Sequence, residues 1–254
     1  MKVFVITQND PFYLSENIDY LLNNLPPHTE IVGCCLFEAS PFGKRETFVN
    51  KAVNTYKVFG WIFFIRYSLK FIANKLFNRK SVLAVLKEHN VDVVSLDESI
   101  NSEKSLDKIK MYKPDLLVSI AGNQIFKRSL INLAPKGCLN LHTSLLPKYR
   151  GLLPSFWVLK NEETYSGVSV FFVDEGIDSG EILVQKKFEI GDMSQEQLIR
   201  LSKRMGMNAV LEAIDLVRTG KFDLIENKDE EMSYFSFPTR ADVKMFKQRG
   251  KKFF

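Results

Sequence analysis

The sequence predicts an α/β fold: a Rossmann-like, open, mostly parallel sheet followed by a short helical and irregular extension. Three observations carry this prediction. Short β-branched and aromatic runs alternate with helix-period segments, the pattern of successive βαβ units. Those runs are apolar on both faces, as strands covered by helices on either side must be. The chain has 254 residues, 45% hydrophobic and 26% charged, enough for a sizeable core beneath an ordinary surface.

Residues 2–7 (KVFVIT) read as the first strand, and residues 11–25 as a helix with Leu14, Ile18, Leu21, Leu22 and Leu25 at helical spacing. Residues 30–37 (EIVGCCLF), 91–96 (VDVVSL) and 115–120 (DLLVSI) read as further buried strands. A brief strand at 138–141 leads into a loop punctuated by Pro147, Gly151 and Pro154, and strands follow at 167–173 and 182–190. A long amphipathic helix is predicted over 194–218, with Leu198, Leu201, Met205, Val210, Ile214 and Val217 on one face and Ser194 with Gln197 as a capping box. The remainder is charged and aromatic, with Pro238 in its middle, and is expected to pack as an extension. The expected organisation is a catalytic domain over 1–190 and a helix plus extension over 191–254.

Charge and cysteine usage narrow the function classes. Lys plus Arg total 35 against 30 acidic residues, a net +5 that permits a phosphorylated substrate without requiring nucleic acid. Residues 41–80 carry nine Lys or Arg against Glu46 alone. The greasiest stretch, 58–65, is broken by Arg66 and Lys70, well short of the roughly 20 apolar residues that span a bilayer, so no stable membrane insertion is expected. Packing of one long inserted helix is the simplest reading of 58–77; a membrane-surface helix, a partner interface and a lid are the others. Cys34, Cys35 and Cys138 have neither metal-ligand spacing nor an even disulfide count and read as small buried hydrophobes. With no basic-apolar-small opening, they point to a reducing cytoplasm, and no metal is expected.

The chemistry-bearing passage is 137–151, GCLNLHTSLLPKYRG, which places Asn140 and His142 two apart at a strand end and therefore on one face. In an open α/β sheet the carboxyl ends of strands rim the ligand crevice, so an amide donor and an imidazole would project toward substrate. Downstream, 174–181 (DEGIDSGE) is a sharp loop that can return Asp178 to that crevice. His28 and His89 read as structural or solvated.

NLHTSLLPKYRG followed by DEGIDSG resembles the folate-dependent formyltransferase family, whose pattern is Asn-x-His-x-Ser-Leu-Leu-Pro with an Asp about 36 residues after the His; here 178 − 142 = 36. The resemblance covers roughly 80–190, including PDLLVSIAGNQIF at 114–126. It implies formyl transfer from 10-formyltetrahydrofolate, a co-substrate, to an amine, with Asn140, His142 and Asp178 as the catalytic set. By the same resemblance the pterin would lie against Gly122, Asn123, Gln124, Ile125 and Phe126 on one loop and Asp174, Gly176 and Ile177 on another. Lys148, Tyr149 and Arg150 would meet an anionic acceptor.

Three acceptors compete within that family: methionyl-tRNA, glycinamide ribonucleotide and nucleotide-linked amino sugars of surface polysaccharide. The stretch after Ile190 is short beside the barrel of about 100 residues carried by the tRNA enzymes. The turn Gln8-Asn9-Asp10-Pro11 lacks the Gly-Ser-Asn phosphate loop of the purine enzymes. The expectation is therefore an amino-sugar nucleotide, with no nucleic-acid partner and, by resemblance alone, a homodimer. A formyltetrahydrofolate hydrolase and a non-catalytic folate-binding protein are the readings from other classes.

Overall fold

The first strand sits at the middle of the sheet because both of its faces are apolar: Val3 and Val5 point into one core layer, Phe4 and Ile6 into the other. In the computed structural model, which describes residues 1–39, 47–77 and 80–254, this strand is β1 (Lys2–Asn9). It is followed by α1 (Leu14–Asn23), β2 (Glu30–Glu38), α2 (Phe48–Phe59), α3 (Trp61–Leu76), α4 (Val82–Glu88), β3 (Val93–Val94), α5 (Glu103–Lys110) and β4 (Leu116–Ile120). Then come α6 (Arg128–Ile131), β5 (Cys138–His142), β6 (Arg150–Gly151), α7 (Pro154–Lys160), β7 (Tyr165–Phe172), β8 (Ile182–Glu189), α8 (Gln195–Thr219), β9 (Tyr234–Phe235) and α9 (Arg240–Gln248).

Seven strands form one sheet in the order β3-β2-β1-β4-β5-β7-β8. The first five in that order are mutually parallel, whereas β7 runs antiparallel to β5, and β8 antiparallel to β7. The sheet is thus mostly parallel, as the sequence predicts, with an antiparallel hairpin at one edge. Strand β3 is two residues long, shorter than the 91–96 run, because pairing with β2 reaches only Cys34 and Cys35. The strand order reverses between β1 and β4, and crevices at such a reversal are where open α/β sheets bind ligands.

One face of the sheet is covered by α1, α4 and α8 through Leu14, Ile18, Val85, Leu86, Val210 and Ile214. The other is covered by α5 and α6 through Leu106, Ile109 and Leu130. Helix α8 starts on the predicted capping box, Ser194 Oγ accepting from the Gln197 amide while the Gln197 side chain accepts from the Ser194 amide, and ends on Gly220 in the left-handed region. Its buried face belongs to the sheet's core.

The carboxyl-terminal segment packs against α7 and β6. The Phe246 ring of α9 stacks on Phe156 of α7 at 5.0 Å and on Phe253 at 4.6 Å, and β9 pairs with β6. The inserted region departs from the expectation of one long packed helix. It is two helices, α2 and α3, broken at Gly60, whose φ of +86° suits a residue without a side chain. Phe59 is buried, but no residue of α3 is fully buried. The expected basic residues Lys44, Arg45 and Arg79, with Glu46, lie outside the described residues.

Candidate active site

Strand β5 is buried between β4 and β7, and its carboxyl end carries both polar side chains singled out in the sequence. Asn140 pairs in register with Ser119 and Phe171, and His142 with Ser169. No hydrogen-bond partner is found for the Asn140 side chain among the described residues, which leaves its amide for a ligand. His142 is buried, and its Nε2 lies 2.7 Å from the Tyr149 carbonyl oxygen. A carbonyl only accepts, so this contact assigns the proton of neutral His142 to Nε2 and leaves Nδ1 as the basic nitrogen.

Nδ1 faces Asp178 Oδ2 across 3.6 Å, close enough for strong charge interaction and too long for a direct hydrogen bond. The route that brings Asp178 there is less direct than the sequence suggests. Because β7 is antiparallel to β5, the loop after β7 begins beside the amino end of β5, Leu139 opposite Phe172, and only its return leg reaches His142. Three contacts hold that return. Asp178 Oδ2 accepts the Gly151 amide at 2.9 Å, and Asn227 Nδ2 donates to the carbonyls of Asp178 and Gly180, each at 2.9 Å. Asp178 itself has a φ of +50°, a conformation that Asp tolerates better than most residues. A Cβ at Gly180 would sit 1.7 Å from the Phe172 carbonyl oxygen, so this return turn admits only glycine.

The loop after His142 is braced from beneath. Ser144 Oγ donates to the Lys148 carbonyl, Ser169 Oγ donates to the Ser144 carbonyl and accepts the Leu146 amide, and Gln185 donates to the Leu146 carbonyl. Sequence reasoning missed Ser169, Gln185 and Asn227. They are remote in sequence and belong to no motif, so only the fold brings them under the site.

The residues expected to meet an acceptor have different surroundings from those the sequence suggests. Tyr149 is buried: its hydroxyl donates to Glu163 at 2.6 Å, its ring stacks on Phe235 at 5.2 Å, and burial pushes its phenol up to about 12. Arg150 is buried too, donating to Asp229 at 2.7 Å and to the side chain and backbone of Asn227 at 2.9 and 3.1 Å. Its guanidinium ties the carboxyl-terminal extension to the site. Lys148 is exposed.

The two loops expected to receive the pterin lie close together, with Arg128 and Glu175 3.6 Å apart between them. On the first, Asn123 Nδ2 donates to the Glu38 carbonyl while its Oδ1 is buried without a partner among the described residues; Gln124 accepts the Ile100 amide, Ile125 is exposed and Phe126 is in the core. At Gly122 a Cβ would meet Ser119 Oγ at 2.5 Å. On the second, Asp174 Oδ1 accepts from the Gly176 amide and the Ser179 hydroxyl, and Ile177 is exposed. Ile125 and Ile177 therefore present exposed apolar side chains, whereas the Asn123 amide is buried beneath the first loop. Among the described residues no group of three or more His, Cys, Asp or Glu is placed to hold a metal ion.

Comparison with known proteins places this geometry in a family. Residues 66–214 match the formyl transferase family. Methionyl-tRNA formyltransferase of Geobacter sulfurreducens is 35% identical over 157 residues, covering 61% of this chain and 49% of that protein. The Kosmotoga olearia enzyme of the same name is 32% identical over 165 residues, covering 64% and 52%. The chain thus spans about half the length of the curated relatives it matches. Among solved structures, the Helicobacter canadensis N-formyltransferase in complex with folinic acid and dTDP-3-aminofucose aligns with a TM-score of 0.59 at 20% identity over 95% of this chain and 72% of that one. Glycinamide ribonucleotide transformylase 1 of Symbiobacterium toebii aligns with a TM-score of 0.62 at 18% identity over 89% and 92%. These likenesses show the fold.

The relatives overturn the amino-sugar nucleotide expected from the sequence. Relatives between 31% and 36% identical carry the name methionyl-tRNA formyltransferase. The expectation rested on what the flanks lack, a barrel and a glycine loop, whereas the relatives match over residues that are present. With the match covering well over half its residues and the His142 and Asp178 side chains meeting at the end of β5, the chain belongs to the formyl transferase family.

Proposed function

We propose that this chain transfers a formyl group from formyltetrahydrofolate, the one-carbon donor of its family, to a primary amine, and that the amine is the amino group of methionyl-tRNA. The observation that carries the transfer is the meeting of His142 Nδ1 and Asp178 at 3.6 Å beside an Asn140 side chain left open to a ligand. The acceptor is supported by the names of the sequence relatives over the matched segment.

The amine nitrogen bonds to the formyl carbon, and the carbonyl oxygen gains negative charge. Asn140 Nδ2–H donates to that oxygen, a preorganised contact of a kind that accounts for about 3–4 kcal/mol of barrier. The attacking amine must lose a proton, and His142 Nδ1 is the basic nitrogen available because Nε2–H is held by the Tyr149 carbonyl. Asp178 stabilises the imidazolium so formed. The bond from the formyl carbon to the donor nitrogen then breaks, and the proton passes from His142 to that leaving nitrogen. The Ile125 and Ile177 side chains offer apolar surface to the pterin.

The test is the purified chain with 10-formyltetrahydrofolate and methionyl-tRNA, with glycinamide ribonucleotide in a parallel reaction, read by mass for the gain of one formyl group. Formylmethionyl-tRNA is the expected product. Formylation of glycinamide ribonucleotide alone would replace the acceptor. Formate released without any formylated acceptor would make the protein a hydrolase.

A further inference from the structure

The inserted helices carry a run of exposed apolar side chains, and the orientation of α3 is fixed. The inner side of α3 is docked: Tyr67 packs on Phe12 with ring centres 4.8 Å apart, Phe63 on Phe253 at 4.9 Å, and Lys70 pairs with Glu196 at 2.8 Å. At about 100° per residue, Trp61, Ile62, Ile65, Leu69, Ile72 and Leu76 then fall on the opposite side within an arc of roughly 100°. All six are between 47% and 72% exposed. On α2, Val49, Val53 and Tyr56 are exposed too and share one helix face. Arg66 and Lys75 are exposed and border the α3 stripe on its two sides. From residue 47 to 77 there are five Lys or Arg and no Asp or Glu.

We propose that α2 and α3 dock this protein onto an anionic membrane surface, with the α3 stripe in the acyl boundary and Lys57, Arg66 and Lys75 among the lipid phosphates. Charge decides between the possible occupants. A second copy would bring the same cationic borders against each other with no acidic residue in the segment to meet them. A nucleic acid would satisfy the cations but gains little from a stripe dominated by Ile and Leu, since it binds through phosphate contacts and base stacking. An anionic bilayer satisfies both halves of the pattern, apolar face and basic borders. No helix among the described residues is long and apolar enough to cross a membrane, so the helices lie in the interface plane.

The chain has two tryptophans, and Trp157 is buried with its indole N–H on the Ser236 carbonyl, so a change in emission on adding vesicles reports Trp61. The experiment mixes the full chain with phosphatidylcholine vesicles, with and without phosphatidylglycerol, and reads flotation and tryptophan emission. Expected are a blue shift that Trp61→Phe abolishes, and binding at least on the order of tenfold stronger to the anionic vesicles. The triple variant Ile65→Ser, Leu69→Ser, Ile72→Ser should lose that binding with an unchanged near-ultraviolet circular dichroism spectrum. The charge reversals Lys57→Glu, Arg66→Glu and Lys75→Glu should remove the preference for anionic lipid independently. Absence of vesicle binding by the unsubstituted chain overturns the proposal, as does binding that survives both sets of substitutions. Dimerisation or RNA binding sensitive to the triple variant, with no vesicle binding, would reassign the surface to that occupant and equally overturn it.

Discussion

The end of β5 and the outer face of α3 are opposites in how the chain uses polar and apolar groups. At β5 the polar groups are buried or half-buried and mostly committed: His142 to Tyr149, Asp178 to Gly151, Arg150 to Asn227, and the loop between them to Ser144 and Ser169. Among the described residues the Asn140 side chain is left without a partner, and Arg150 Nε is buried unpaired. On α3 the apolar groups are exposed and only the inner face has partners. The first arrangement holds its side chains in place through several hydrogen bonds, the kind of preorganisation that the proposed chemistry on a developing charge needs. The second fixes only an orientation, sufficient for a surface whose partner is a fluid.

Substitutions can sharpen this contrast. The largest loss of stability is expected from Phe246→Ala, which empties a fully buried ring site between Phe156 and Phe253; about 3–5 kcal/mol should be lost in denaturant unfolding. A smaller loss, about 1.5–3 kcal/mol, is expected from Arg150→Ala, because the buried Asn227 acceptors lose a charged donor. Lys148→Ala, one residue away but exposed, should stay within about 0.5 kcal/mol of the parent in the same measurement. If the two variants instead lose stability equally, Arg150 is not the tie between extension and site. The smallest effect belongs to the outer stripe: Leu69→Ser should also move stability by no more than about 0.5 kcal/mol, and a loss of 2 kcal/mol or more would mean that this face is packed.

The same contrast explains what the sequence made legible. The placing of Asn140 and His142 on one strand face was legible from their spacing of two, and the meeting of His142 with Asp178 only through the family resemblance of the DEGIDSG loop. The alternation of strands and helices was legible for a local reason: periodicity of 2 against 3.6 is written residue by residue. Tyr149 and Arg150 were misplaced because composition does not tell a solvated loop from one buried under a distant segment; Ser233, Asn227 and Asp229 cover them from about 80 residues away. In α3 a helix was legible, but which face turns inward depends on Phe12, Glu196 and Phe253, which no local pattern encodes. The acceptor failed for another reason, since it was argued from missing flanking features.

The central claim is that Asn140 and His142 act directly on the reacting formyl group. The most direct measurement is kcat/KM for formyl transfer by the Asn140→Ala and His142→Ala variants, alongside folate affinity for each. The account predicts a fall of at least on the order of a hundredfold in each, with folate affinity largely retained. Rates close to those of the parent in both variants would contradict it.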